Sequence, residues 1–69
     1  MNKEIILKNK IKEIRSSKKI LQEQLAKLTG TTRQTIIAIE KCQFNPSAKL
    51  AALICLALNC KFEEIFWLD

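Results

Sequence analysis

Histidine is absent from this 69-residue chain, and glycine and proline occur once each. Without histidine the side chain best suited to proton transfer near neutral pH is missing. A zinc site would have to be assembled from the three cysteines with an acid as its fourth ligand. Those cysteines, Cys42, Cys55 and Cys60, are odd in number and match no paired-thiol spacing, so they read as reduced, buried or half-buried thiols of a reducing cytoplasm. No metal and no other cofactor is expected. There is no glycine-rich loop to cradle a phosphate, and no serine or cysteine beside a plausible base, which argues against an enzyme. The longest uninterrupted apolar run, Leu50 to Leu58, is nine residues, too short to span a bilayer. No signal-peptide pattern opens the chain. The scarcity of glycine and proline also leaves little room for long or disordered loops.

What is present is ordinary for a small globular domain, 48% hydrophobic and 28% charged, but the charge is unevenly placed. Lysine and arginine number 12 against 7 acids, a net +5. Residues 1–19 alone carry +5, residues 20–45 carry +1, and residues 46–69 carry −1. A basic half suited to a polyanion is followed by a near-neutral half free for other contacts. A chain this short buries only about 60% of the surface that its unfolded form exposes, so a second subunit would add stability.

Residues 3–8 contain a β-branched apolar patch that fits either a short strand or a helix lead-in, with Asn9 as a possible helix start. Ile11, Ile14 and Arg15 recur at helical spacing, predicting a first helix over about 9–17, with Ser16 to Lys19 as its frayed end and turn. A second short helix spans Gln22 to Thr29 with Leu25, Ala26 and Leu28 inward, and the lone Gly30 ends it, since glycine accepts positive φ at little steric cost. Thr31 or Thr32 caps a third helix, Arg33 to about Lys41, with Ile36 and Ile39 inward; Thr31 and Gln34 have capping-box spacing. Cys42 to Ser47 is a loop around Pro46, a fourth helix runs over about 48–59, and Glu63 and Glu64 suit the start of a last helical turn. The reading is all-α: five helical elements, with a small strand pair joining the chain ends left open.

At this level of detail the chain resembles the Cro/cI-type helix-turn-helix family, also called XRE, of bacterial and phage DNA-binding regulators, and in particular its short members without an effector domain. The stretches that carry the resemblance are Ile11-x-x-Ile14-Arg15, Gln22 to Ala26, Gly30 to Ile36, Ala38-Ile39-Glu40, Phe44 to Ser47 and Glu63 to Phe66, covering about residues 8–66. The resemblance implies a compact, lambda-repressor-like DNA-binding domain over 1–69 with its motif at about 22–41. It implies that Gln22 reaches phosphate or steadies the recognition helix, and that Thr32, Arg33, Gln34, Thr35 and Ile37 face the major groove. Arginine suits guanine, glutamine suits adenine, and Ile37 can only offer an apolar contact to a thymine methyl. Lys41, Gln43 and Asn45 are placed near phosphates, which position without reading sequence. Arg15 and Glu40 are implied as a partly buried ion pair tying the first helix to the third. Two departures from the family pattern bear on geometry. Leu21 stands where a Thr or Ser cap is usual, and Cys42 stands where glycine is common, so that its backbone either enters the left-handed region or the helix ends differently.

The fourth helix is apolar nearly all round, and Phe66, Trp67 and Leu68 add apolar surface at the chain's end. Leu53, Leu56, Phe66 and Trp67 are therefore expected at a two-fold homodimer contact, with Trp67 folding back over its own core as the alternative. The function expected is a sequence-specific double-stranded DNA-binding transcriptional regulator, a repressor acting as a homodimer on an inverted-repeat operator. The competing reading is an antitoxin or other protein-interaction module that holds a partner through the apolar C-terminal half. No membrane partner and no small-molecule effector is indicated.

Overall fold

The computed structural model describes residues 5–69. Among these, five helices are flanked by two short strands: β1 (Leu7–Asn9), α1 (Ile11–Ser17), α2 (Gln22–Thr29), α3 (Arg33–Glu40), α4 (Ala48–Leu58), α5 (Phe62–Ile65) and β2 (Phe66–Leu68). The strand pair joins the two ends of the chain, antiparallel, with Leu7 opposite Leu68, Lys8 opposite Trp67 and Asn9 opposite Phe66. Of the apolar patch at 3–8, residues 5–8 are described and residues 3 and 4 lie outside the described residues. Asn9, read as the start of the first helix, instead ends β1, and α1 begins at Ile11.

Four helices end by the same device. One residue turns into the left-handed region, and the next residue's N–H donates to a carbonyl five residues back. The left-handed residues are Lys19 (φ 59°), Gly30 (φ 71°), Cys42 (φ 61°) and Asn59 (φ 55°). The bonds that follow them are Ile20 N to Arg15 O at 2.9 Å, Thr31 N to Ala26 O at 2.9 Å, Gln43 N to Ala38 O at 2.9 Å and Cys60 N to Cys55 O at 3.1 Å. Each bond satisfies a carbonyl that a helix end would otherwise leave open. The end of α1 is thus closed rather than frayed. Lys41 and Asn59, placed inside helices by periodicity, fall just past α3 and α4 as their caps. Nothing lies within 4 Å of where a Cβ on Gly30 would sit, so its φ is the reason for glycine there.

The helix starts divide by chemistry. Thr32 Oγ1 accepts from Thr35 N at 3.2 Å and Ser47 Oγ accepts from Leu50 N at 3.1 Å, satisfying donors in the first turns of α3 and α4. Thr32, not Thr31, is therefore the cap, and the Thr31–Gln34 box does not form. Leu21 has no acceptor to offer, but Gln24 Oε1 accepts from the Leu21 N–H at 2.8 Å, supplying the reciprocal half of a capping box alone.

The core gathers Ile11, Leu25, Ala26, Ile36, Ile39, Ala51, Ile54, Leu58, Ile65 and Phe66. Each fully buried isoleucine or leucine contributes about 1.5–3 kcal/mol of transfer free energy. Leu28, expected inward, is 62% exposed. The inward face of α2 is set by Leu25, Ala26 and Thr29, and Leu28 stands on its flank at the last turn, where no element passes over it. Thr29 is buried in its place, its hydroxyl donating to Leu25 O at 2.8 Å. No helix among the described residues is long and apolar enough to cross a membrane.

Candidate nucleic-acid interface

The chain turns sharply between α2 and α3 at Gly30, and α3 presents two faces. Ile36 and Ile39 are buried, whereas Arg33, Gln34 and Lys41 are exposed and Ile37 and Ala38 half-buried. By the helical repeat of about 3.6 residues, Arg33, Gln34, Ile37 and Lys41 share the outward face. Gln43 and Asn45 follow in the exposed loop. Thr32 and Thr35 are not part of that row. Thr35 is half-buried, and the two hydroxyls lie 3.0 Å apart in the cap that starts the helix.

A hydrogen-bonded chain holds this face in place. Arg15 Nε donates to Glu40 Oε2 at 2.9 Å, with both side chains nearly buried. Gln22 Nε2 donates to Glu40 Oε1 at 3.0 Å, and Arg33 Nε donates to Gln22 Oε1 at 3.3 Å. The orientation of the Gln22 amide is fixed by its neighbours: only the NH2 can face a carboxylate, and only the oxygen can face a guanidinium. Glu40 at the end of α3 is thereby linked through the first residue of α2 to Arg33 at the start of α3. Arg15 also donates from Nη1 to Ile20 O at 2.9 Å, so the buried guanidinium fastens the end of its own helix. The expected Arg15–Glu40 pair is present, and Gln22 is its extension toward the exposed arginine. No buried side-chain nitrogen or oxygen among the described residues lacks a partner.

Asn9 has a structural role that the sequence pattern did not indicate. Its Oδ1 accepts from Ile11 N at 3.1 Å and its Nδ2 donates to Ile39 O at 2.9 Å. One amide therefore pins the end of β1 to the start of α1 and to the last turn of α3. The only sequence signal was a short polar side chain just ahead of a helix.

The four residues expected at a subunit contact are scattered. In β2 successive side chains point to opposite sides, so Phe66 and Trp67 cannot share a surface. Phe66 is 2% exposed and stacked on Phe62 with ring centroids 4.9 Å apart, which places it in this chain's own core. Trp67 faces outward, 43% exposed, rather than folding over the core, and Leu56 is 77% exposed. Leu53 is half-buried and lines a cleft between α2 and α4. A separate apolar groove runs between α4 and α5, lined by Ala48, Ala52, Cys55, Leu56 and Phe62.

All three cysteines are free and half-buried. Burial pushes the Cys55 thiol up from its ordinary value, and neighbouring Cys60 adds to the shift, so Cys55 stays protonated near neutral pH. No group of three or more potential metal ligands occurs among the described residues.

The family model described as Helix-turn-helix matches residues 11–65. The chain is 48% identical over 63 residues to the HTH-type transcriptional regulator YgzD of Bacillus subtilis, covering 91% of this chain and 96% of that one. It is 50% identical over 60 residues to an HTH-type transcriptional regulator of Methanocaldococcus jannaschii, covering 87% and 91%. Among solved structures it resembles the restriction-modification controller protein C.AhdI from Aeromonas hydrophila, with a TM-score of 0.74, 31% identity and coverage of 78% and 82%.

Proposed function

The chain belongs to the helix-turn-helix family of XRE-type, DNA-binding transcriptional regulators, which are not enzymes, and we propose that it acts as a homodimeric repressor reading an inverted-repeat operator through α3. The observation that carries this reading is the outward face of α3, exposed Arg33 and Gln34 beside half-buried Ile37, braced from behind by Gln22, Glu40 and Arg15. Arg33 and Gln34 are long, polar and donor-rich at the start of a helix, where the major groove admits them; each bidentate contact is worth about 1–3 kcal/mol of discrimination between bases. Ile37 meets a thymine methyl. Lys41, Gln43 and Asn45 lie further along and contact phosphate, setting register without reading bases. Thr32 and Thr35 serve the cap and contribute to recognition by fixing where α3 begins.

The second copy packs against the groove between α4 and α5, with Leu56 entering its partner's groove. The half of the chain that holds this groove is close to neutral, while the basic half remains for the polyanion. Two copies of a +5 protein approach most easily there. Two-fold symmetry sets the half-sites about one helical turn, roughly 34 Å, apart. Repression follows from occupying promoter DNA, so it tracks protein concentration.

Sedimentation of the full chain and of Leu56→Glu, with and without duplex DNA, tests this. A dimer at micromolar concentration that Leu56→Glu converts to monomer supports it. A monomer that binds a single half-site tightly overturns the dimer.

A further inference from the structure

Leu28 contributes little to the core, being 62% exposed at the end of α2. Two shallow clefts flank it. One is lined by Lys19, Ile20 and Lys27, and the other, between α2 and α4, by Lys27, Lys49 and Leu53. Because Leu28 and Lys27 line both, the two form one continuous surface. The three lysines are exposed, no carboxylate lines either cleft, and none of the three is in an ion pair among the described residues. The carboxylate of α2, Glu23, lines a different cleft with Gln22 and Arg33.

We propose that this surface docks an acidic amphipathic helix from another protein, its apolar stripe covering Leu28 and its flanking carboxylates meeting Lys19, Lys27 and Lys49. Charge decides the occupant. A second copy seated here across a two-fold axis would bring lysines against lysines. Duplex DNA would satisfy the lysines but would gain nothing from Leu28 or from half-buried Ile20 and Leu53. A helix that is apolar along one stripe and acidic on either side satisfies both kinds of group, with affinity from the stripe and orientation from the charges. The surface is distinct from the Arg33 and Gln34 row, so a protein partner and an operator can be held together. This inference does not depend on the dimer.

The test uses the full isotope-labelled chain titrated with a short synthetic helical peptide carrying leucine at every third or fourth position and glutamate elsewhere, against a scrambled peptide of the same composition. Amide shift changes should centre on Ile20, Lys27, Leu28, Lys49 and Leu53. Leu28→Glu should weaken peptide binding by about tenfold or more, through lost apolar contact and added repulsion, while duplex DNA affinity is unchanged. The double variant Lys27→Glu/Lys49→Glu should lose the peptide as well, and it carries the test if Leu28→Glu fails to fold. Absence of binding, equal binding of the scrambled peptide, or shifts confined to Leu56 and Phe62 would overturn the proposal. So would a loss of duplex affinity in folded Leu28→Glu as large as in the lysine variant, which would assign the surface to DNA.

Discussion

Gln22 and Glu40 join the first residue of α2 to the last residue of α3, with the amide nitrogen 3.0 Å from the carboxylate. The same amide accepts from Arg33, so the exposed start of α3 is steadied by a group whose other side is anchored to a nearly buried ion pair. Gln22→Ala should cost about 1 kcal/mol of stability, the net worth of a typical hydrogen bond. Gln22→Glu should cost more, because it faces Glu40 with a second carboxylate. Urea unfolding of both variants checks the order, and a Gln22→Glu variant as stable as the parent would contradict it.

Glu40→Ala leaves the Arg15 guanidinium nearly buried without its carboxylate. Removing one partner of a buried pair costs about 3–5 kcal/mol, a large fraction of what a domain this small possesses. The unfolding midpoint in urea should fall steeply, with a smaller fall for Glu40→Gln, which keeps the hydrogen-bonding shape. An unchanged midpoint for Glu40→Ala would refute the role of the pair.

The left-handed helix ends make opposite predictions at two positions. Gly30→Ala meets no steric obstacle beyond its own backbone, so it should destabilise by about 1 kcal/mol, the cost of a Cβ at positive φ. Cys42→Gly relieves that same strain and should stabilise by up to about 1 kcal/mol, less whatever packing the half-buried thiol contributes. Thermal unfolding should show the two shifts with opposite signs.

The helices are legible in the sequence and most of their ends are not, for one physical reason. Apolar spacing located α1 to α4 because the buried residues Ile11, Leu25, Ile36, Ile39, Ile54 and Leu58 recur on single faces. Their termini rest on individual backbone angles. Gly30 announces a left-handed residue, but Lys19, which also takes one, does not, and Cys42 was legible only as a choice between two outcomes. Leu28 was misplaced because hydrophobicity says that a side chain prefers burial and not that anything is there to cover it. Phe66 and Trp67 were grouped by composition, and a three-residue strand then separated them onto opposite faces. In the candidate site, the Arg15–Glu40 pair came from the family pattern. Of the two hydrogen bonds of Asn9, the one to Ile11 is local, whereas the one to Ile39 in α3 spans thirty residues of sequence and leaves no local signature.

Arg33 and Lys41 should fail differently when each is cut to alanine. Arg33→Ala should cost about 1–3 kcal/mol on the preferred operator and relax discrimination at one base pair. Lys41→Ala should weaken binding to all duplexes alike and lower the slope of log affinity against log salt by about 1. Titrations on specific and unrelated duplexes at several salt concentrations separate the two, and identical behaviour of the two variants would contradict their assignment to base and phosphate.

Under the proposed function, Arg33 and Gln34 meet base edges in two symmetry-related copies. Selection of bound fragments from random duplex DNA, carried out with the parent chain and with Arg33→Ala, tests it most directly. The expected result is an enriched inverted repeat with half-site centres about one helical turn apart, and loss of preference at the same position in each half-site when Arg33 is removed. Fragments without inverted symmetry, or a repeat whose every position survives Arg33→Ala, would contradict it.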